Sequence, residues 1–310
     1  MLRLYSLIWR LTGPRQIFLI IVSFLIAGLA AAPLKFQQDI INMLTDGTGT
    51  VDRLLLNGAG MMSVILLSLG LKWVLGYSSG ILGEDVIRTI RKRLLHSASE
   101  HEADPHHVSA GTLSTAISAE AEELGSFIGG AFSEPVMQIG TLVSVIGFVT
   151  ATQPRLGLVA LAMVLPQVLI VVFTQRQVNR LVGERVCTLR GATDKLTAEL
   201  LEDVEEAVTA DFDRIYGFRQ KIFVWKLSTK FLLSTISGVA TVTVILLGGW
   251  LVLEGRSDVG TLVAAVAALG RLQGPTSVLI TFFRQLSVNR VKFDLLHSLM
   301  GPSRATQPIR

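Results

Sequence analysis

Three polar side chains stand inside otherwise apolar runs of this chain: Lys72, Arg271 and Gln273. An ionisable group at membrane depth costs several kcal/mol unless it faces protein or water, so each marks a cavity by default. Arg271 sits well inside a run that begins at Val259. Lys72 either lines a cavity too or snorkels from near a helix end. A cavity lined by these groups would be locally cationic and would suit an amphiphile or an anion. Next to Arg271, Gly274-Pro275 removes one helical hydrogen bond and bends the helix. That provides either a hinge for gating or plain kinked packing, since proline is tolerated in membrane helices.

Other chemistry-bearing groups lead less far. His101, Asp104, His106 and His107 cluster in a polar segment, but their spacing matches no zinc pattern, and no metal site is assigned. Glu134-Pro135 offers either a proton-coupling carboxylate or a charge held at a membrane interface. No nucleophile–base pair or catalytic carboxylate pair stands at useful spacing, so no catalytic residue is assigned. Gly-x-x-x-x-Gly-Lys-Ser/Thr is absent from the sequence, so no segment here can wrap its amides around a nucleotide phosphate.

The elements that position these groups are apolar. The chain has 310 residues, of which 50% are hydrophobic and 17% charged, with a mean hydropathy of +0.54. That is the composition of a polytopic membrane protein. The net charge of +4 and pI near 9.4 come from blocks beside the apolar runs, which are topology signals; no nucleic-acid partner is expected. Cys187 is the sole cysteine and cannot form an intrachain disulfide. The first run, Ile17 to Ala32, follows Arg3, Arg10 and Arg15 and imitates a signal peptide ending in Ala30-Ala-Ala32. Pro33 after the apparent cut and the further spans beyond it favour an uncleaved first helix.

Six hydrophobic spans are expected at about 17–36, 56–75, 132–150, 156–173, 231–253 and 259–283, giving an all-α membrane protein. Short connections nearly free of Lys and Arg alternate with two long basic ones, 76–131 and 174–230. The Lys/Arg bias places both termini and both long connections in the cytoplasm. Apolar positions recur there at helical spacing, so the spans continue as a cytoplasmic stalk. Helices prolonged by ~25 residues project roughly 35–40 Å. Residues 301–310 are polar and read as a tail or linker.

Glu254-Gly-x-x-x-x-Gly260-Thr-Leu-Val, with Pro275 fifteen residues after the second glycine, resembles the fifth and sixth helices of an ABC-transporter type-1 exporter membrane domain. Ile90-Arg-Lys-Arg-Leu94 looks like that family's basic stretch descending from helix 2. Gly111-Thr-Leu113 with Glu120 is similar to the opening of its helix 3.

The resemblance implies six long helices reaching into the cytoplasm and half of a translocation path lined by helix 6. It implies a first coupling helix at Ala103, Asp104, Pro105, His106, His107 and Val108. A second would hold Asp203, Val204, Glu205, Glu206, Ala207 and Val208, within Asp203–Ala210. It implies ATP-driven alternating access and a second membrane domain, identical or different. Helices 4 and 5 would cross to the opposite ATPase. ATP and Mg would be held by a nucleotide-binding domain, either a separate chain or a continuation of this one, and not by the residues here. The acidic run Glu199, Glu202, Asp203, Glu205, Glu206, Asp211, Asp213 is then either a solvated face or a surface for a basic groove on that domain.

Two departures stand out: Ala103-Asp104 where aromatic residues are usual, and Glu205-Glu206 where a small residue is usual. They motivate the alternative of a transport-inactive regulatory protein of the same fold. The other alternative is a secondary transporter or channel without an ATPase. Topology is the first test. Cysteines placed at position 92 should resist a membrane-impermeant reagent added to intact cells, and cysteines at position 46 should react. The reverse pattern would sink the orientation.

Overall fold

The computed structural model describes residues 2–100, 114, 116–198 and 201–300, and these form helices joined by short turns, with no strand among them. In order they form α1 (Leu2–Leu29), α2 (Ala32–Thr45), α3 (Val51–Glu100), a π-helical turn (Ala116–Glu120), α4 (Ala121–Gly130), α5 (Ser133–Thr152), α6 (Pro154–Ala198), α7 (Leu201–Leu253) and α8 (Val259–Met300). Six stretches are long and apolar enough to cross a bilayer: Thr12–Thr45, Val51–His96, Ser133–Thr152, Pro154–Leu189, Glu205–Leu253 and Val259–Leu286. The chain divides into two compact units, Met1–Gly157 with Leu251–Arg310, and Leu158–Trp250.

In the first unit, the run at the head of the chain is two helices. α1 stops at Leu29 and α2 restarts at Ala32 with Pro33 in its first turn, because proline has no N–H to continue the ladder but suits a helix start. The apolar core gathers Ile8 of α1, Val86, Ile90 and Leu94 of α3, Leu124 of α4 and Phe282 of α8. Val86, Ile90 and Leu94 repeat every fourth residue, which puts them on one face of α3.

α3 and α4 cross at glycines. A Cβ on Gly125 would lie 2.3 Å from Ile87 Cγ1, and one on Gly129 would lie 2.4 Å from the Ser79 carbonyl. The Gly-x-x-x-Gly spacing lines up both small residues on one face and lets the backbones touch. Just beyond, the helix breaks between Gly130 and Ser133, and α1 donates to carbonyls on both sides of the break. Gln16 Nε2 donates to the Ile128 carbonyl at 3.0 Å, and Ser23 Oγ donates to the Ser133 carbonyl at 3.0 Å.

At the short-loop end, Asp258 caps α8. It accepts from Thr261 N at 2.6 Å and Thr261 Oγ1 at 2.8 Å, satisfying donors that a helix start leaves open. Burial pushes this carboxyl up, but hydrogen bonds from Thr261, Asn42 and Gln38 together outweigh it and hold the group below its ordinary value. Gln38 of α2 donates to Thr261 Oγ1 at 2.7 Å, and Gly260 N donates to Asn42 Oδ1 at 2.8 Å. Only glycine fits at 260, since a Cβ there would meet the Gln38 carbonyl at 2.3 Å.

The second unit is an antiparallel pair formed by α6 and α7. Its contacts step along both helices in opposite directions. Gln167 Nε2 donates to Ser237 Oγ at 3.0 Å, Thr229 Oγ1 donates to Thr174 Oγ1 at 2.9 Å, and Val178 and Leu181 pack on Ile222. Ala192 meets Val208, and Lys195 pairs with Asp211 at 2.7 Å. Side-chain hydrogen bonds of this sort are worth about 0.6 to 2 kcal/mol each between helices in lipid.

The glycine crossing makes a prediction. Gly129→Ala should cost about 1–3 kcal/mol through overpacking, read as a lowered Tm of the purified protein in one detergent. Gly217→Ala, where a Cβ meets nothing within 4 Å, should be neutral or slightly stabilising. An unchanged Tm for Gly129→Ala would show that α3 and α4 do not touch there.

Candidate functional site

Four helices of the first unit each turn one stripe toward a shared cavity of 520 Å³. α1 offers Ile26 and Leu29; α3 offers Ile65, Ser68, Leu69 and Lys72; α5 offers Met137, Gln138, Thr141 and Val145; α8 offers Arg271, Gly274, Pro275 and Val278. The spacings of three and four residues are those that keep side chains on one helical face. Lys72, Arg271, Gly274 and Pro275, far apart in the chain, therefore meet at one place. Gln273 does not join them and is exposed. At 3.6 residues per turn it points roughly 200° around α8 from Arg271, whereas Pro275 comes back to the same side.

Arg271 is half-buried, and its Nη1 donates to the Ala30 carbonyl at 3.2 Å, beside the α1–α2 break. Among the described residues no carboxylate lies within ion-pair distance of Arg271 or Lys72. α8 runs unbroken through Pro275. Proline has no N–H for the Arg271 carbonyl, four residues back. One residue on, Thr276 Oγ1 donates to the Leu272 carbonyl at 2.8 Å, beside the freed carbonyl rather than to it.

A larger cavity of 1080 Å³ lies further along α8 and shares Val278 with the first. It is lined by Phe127, Glu134, Phe282 and Gln285, among others. Glu134 accepts from Gln138 Nε2 at 2.8 Å, so one α5 contact links the linings of both cavities. The other carboxylates on this wall are engaged. Glu122 pairs with Arg91 at 3.2 Å, and Glu123 with Lys292.

The coupling segments stand apart from these cavities in the sequence. Residues 103–108 lie outside the described residues, as do His101 and the side chains of Asp203 and Val204. Asp203–Val208 fall in the first turns of α7, which runs unbroken to Leu253. Glu205, Glu206 and Ala207 are exposed, and Val208 is buried against Ala192. Of the acidic run, Asp211 is buried and held by Lys195 and, at 3.7 Å, by Arg214. Sequence reading overlooked Gly125 and Gly129, whose four-residue spacing was the available signal. It also overlooked Gln138, a polar residue inside an apolar span.

The membrane-domain model described as the ABC transporter transmembrane region matches residues 17–193, more than half of the chain. The chain belongs to the ABC transporter transmembrane region family. With six helices of spanning length, it is an integral multi-pass membrane protein. It is also similar to a multidrug resistance ABC transporter ATP-binding and permease protein of Lactococcus lactis subsp. lactis (strain IL1403), 22% identical over 304 residues. The match covers 90% of this chain and 49% of that protein, so this ABC membrane domain spans about half the length of its relative.

The unpaired state of Arg271 makes a prediction for this ABC membrane domain. Breaking a buried ion pair destabilises by about 3–5 kcal/mol, but among the described residues Arg271 has no such partner to strand. Arg271→Met should therefore leave the Tm unchanged or raise it, while Lys195→Met, which leaves the buried Asp211 only the exposed Arg214 at 3.7 Å, should lower it. A large loss of Tm in Arg271→Met would make the arginine a structural residue.

Proposed function

We propose that this chain is the membrane half of an ATP-driven exporter, with the cavities along α8 as its share of the translocation path. The observation that carries the reading is the convergence of Lys72, Arg271, Gly274 and Pro275 on one cavity inside a family of transport domains. Membrane-depth charge facing a cavity is what a polar cargo requires and what a purely structural bundle avoids. The similarity to a protein carrying both ATP-binding and permease parts supports pairing with a nucleotide-binding domain, which would hold ATP and Mg.

In this reading a second membrane domain completes the path, and α6 and α7, a compact unit of their own, form the arm that reaches the opposite ATPase. The Lys/Arg bias of the long connections supports cytoplasmic termini in a bacterial inner membrane. ATP binding draws the nucleotide-binding domains together. The segments 103–108 and 203–210 pass that rigid-body movement to the stalk, as stiff helices can and loose loops cannot. α8 has a weak point where Pro275 withholds a hydrogen bond, and bending there would alternate access to the two cavities.

Site-specific crosslinking tests the coupling assignment. Photoreactive residues at 106 and 206 should capture the nucleotide-binding domain in the active complex. Position 206 is chosen because Glu206 is exposed, unlike Val208. Crosslinks only to lipid or to the same chain, with an active ATPase present, would replace the exporter reading by a regulatory or secondary-transport one.

A further inference from the structure

We propose that the 520 Å³ cavity is the headgroup pocket for an anionic amphiphile, a carboxylate, sulfate or phosphate on an apolar body, with Arg271 and Lys72 as its counter-charges. The proposal deepens the exporter reading by naming the class of cargo, and rests on that reading for the transport step alone.

Charge balance is the first argument. Several cations of this unit have acids beside them: Arg15 has Asp85, Lys35 has Asp39, Arg91 has Glu122 and Lys292 has Glu123. Arg53, Arg88, Lys92 and Arg284 are exposed without one among the described residues. The two cations on the cavity have none among the described residues. Desolvating a cation without a partner is expensive. The half-buried Arg271 bears that cost while Lys72 is exposed, and both line the cavity where a ligand can reach them. Arg271 is also held in place, since its bond to the Ala30 carbonyl uses one of five guanidinium donors and leaves the rest to a ligand.

The second argument is the lining. Ser68, Gln138 and Thr141 add hydrogen-bonding groups beside the cations, and Ile26, Leu69 and Val145 supply apolar wall. A few convergent polar groups in an apolar cavity is the pattern of a ligand site, and the volume falls within the usual range of about 300–1,000 Å³.

The third argument is polarity along the path. The nearest acid on α5 is Glu134, one turn from Gln138, and it lines the neighbouring cavity. Arg284 lines that neighbouring cavity as well, but Glu134 is the charge bonded to Gln138 where the two linings join, so an anion is favoured at the Arg271 end. An amphiphilic cation would meet the opposite field, favoured beside Glu134 and excluded beside Arg271.

The experiment uses two fluorescent probes with the same apolar body and opposite heads, pyrenedecanoate and pyrenedecyl-trimethylammonium. Binding to the full chain in nanodiscs of neutral lipid is read by pyrene fluorescence, and no ATPase is needed. The carboxylate should bind at least about tenfold more tightly, the size expected for one charge-assisted contact. Arg271→Gln and Lys72→Gln should each weaken the carboxylate about tenfold and leave the ammonium probe unchanged or tighter. The proposal is overturned if the wild-type chain binds both probes equally or prefers the ammonium. It is equally overturned if both variants, with unchanged Tm, keep the wild-type affinity for the carboxylate.

Transport separates cargo from a resident lipid. ATP-dependent uptake of pyrenedecanoate into inverted vesicles by the complete transporter should exceed that of the ammonium probe. Selective binding without such uptake would mark a fixed anionic-lipid site and overturn the cargo assignment. Selective binding by a chain that fails the crosslinking test keeps the site and removes the exporter reading.

Discussion

In the bilayer core no water stands ready to satisfy a stray polar group, and that constraint governs most of what is unusual in this chain. Several places where a helix breaks or starts have a side chain brought to them. The break between α4 and α5 has Gln16 and Ser23 of α1 donating to carbonyls on either side of it. The start of α8 has Asp258, itself steadied by Gln38 and Asn42 of α2. The proline in α8 has Thr276 beside it. Apolar surface needs no such care: Leu56, Leu66, Leu169 and Leu246 are 61–72% exposed, which in water would be a liability and in lipid is ordinary.

Against that background, Arg271 and Lys72 stand out as cations on an apolar cavity with no carboxylate partner among the described residues. Their cavity exists because the rest of the bundle is tied tightly enough to leave space without collapsing. The glycine crossing of α3 and α4 fixes one wall, and the α2–α8 contact at Gly260 fixes the other helix at its far end. α8 is thus held at its capped end and softened at Pro275, an arrangement suited to bending near the charged groups. The cavity residue Arg271 and the proline are linked through the backbone. Proline withholds its N–H from the carbonyl of residue 271 itself.

Much of this was legible in the sequence. The apolar runs and the helical spacing between them point to an all-α membrane protein. Arg271 and Lys72 stand out because charge in an apolar run is expensive. Gly260-Thr261 is conspicuous as a pattern, and the structure supplies its cause in a backbone contact and a cap. What stayed hidden depends on azimuth and on partners remote in sequence. Gln273 looks as telling as Arg271 in one dimension, yet the helix turns it away. Gln16 and Ser23 look like blemishes in an apolar helix until the broken helix opposite them is known. Gly125 and Gly129 are two glycines among many until Ser79 and Ile87 are placed against them.

The central claim is that the cavity beside Arg271 is a gated path through the membrane. The most direct test places a single cysteine at Ser68 or Gly274 of a cysteine-free version, in the complete transporter with its ATPase. A membrane-impermeant thiol reagent is then applied from each side in turn. Without nucleotide, the cysteine should react from the side of residues 91–93 and be protected from the other. After trapping with ATP and vanadate, the preference should reverse. Reactivity from the same side in both states, or from neither, would contradict a path that alternates around this cavity.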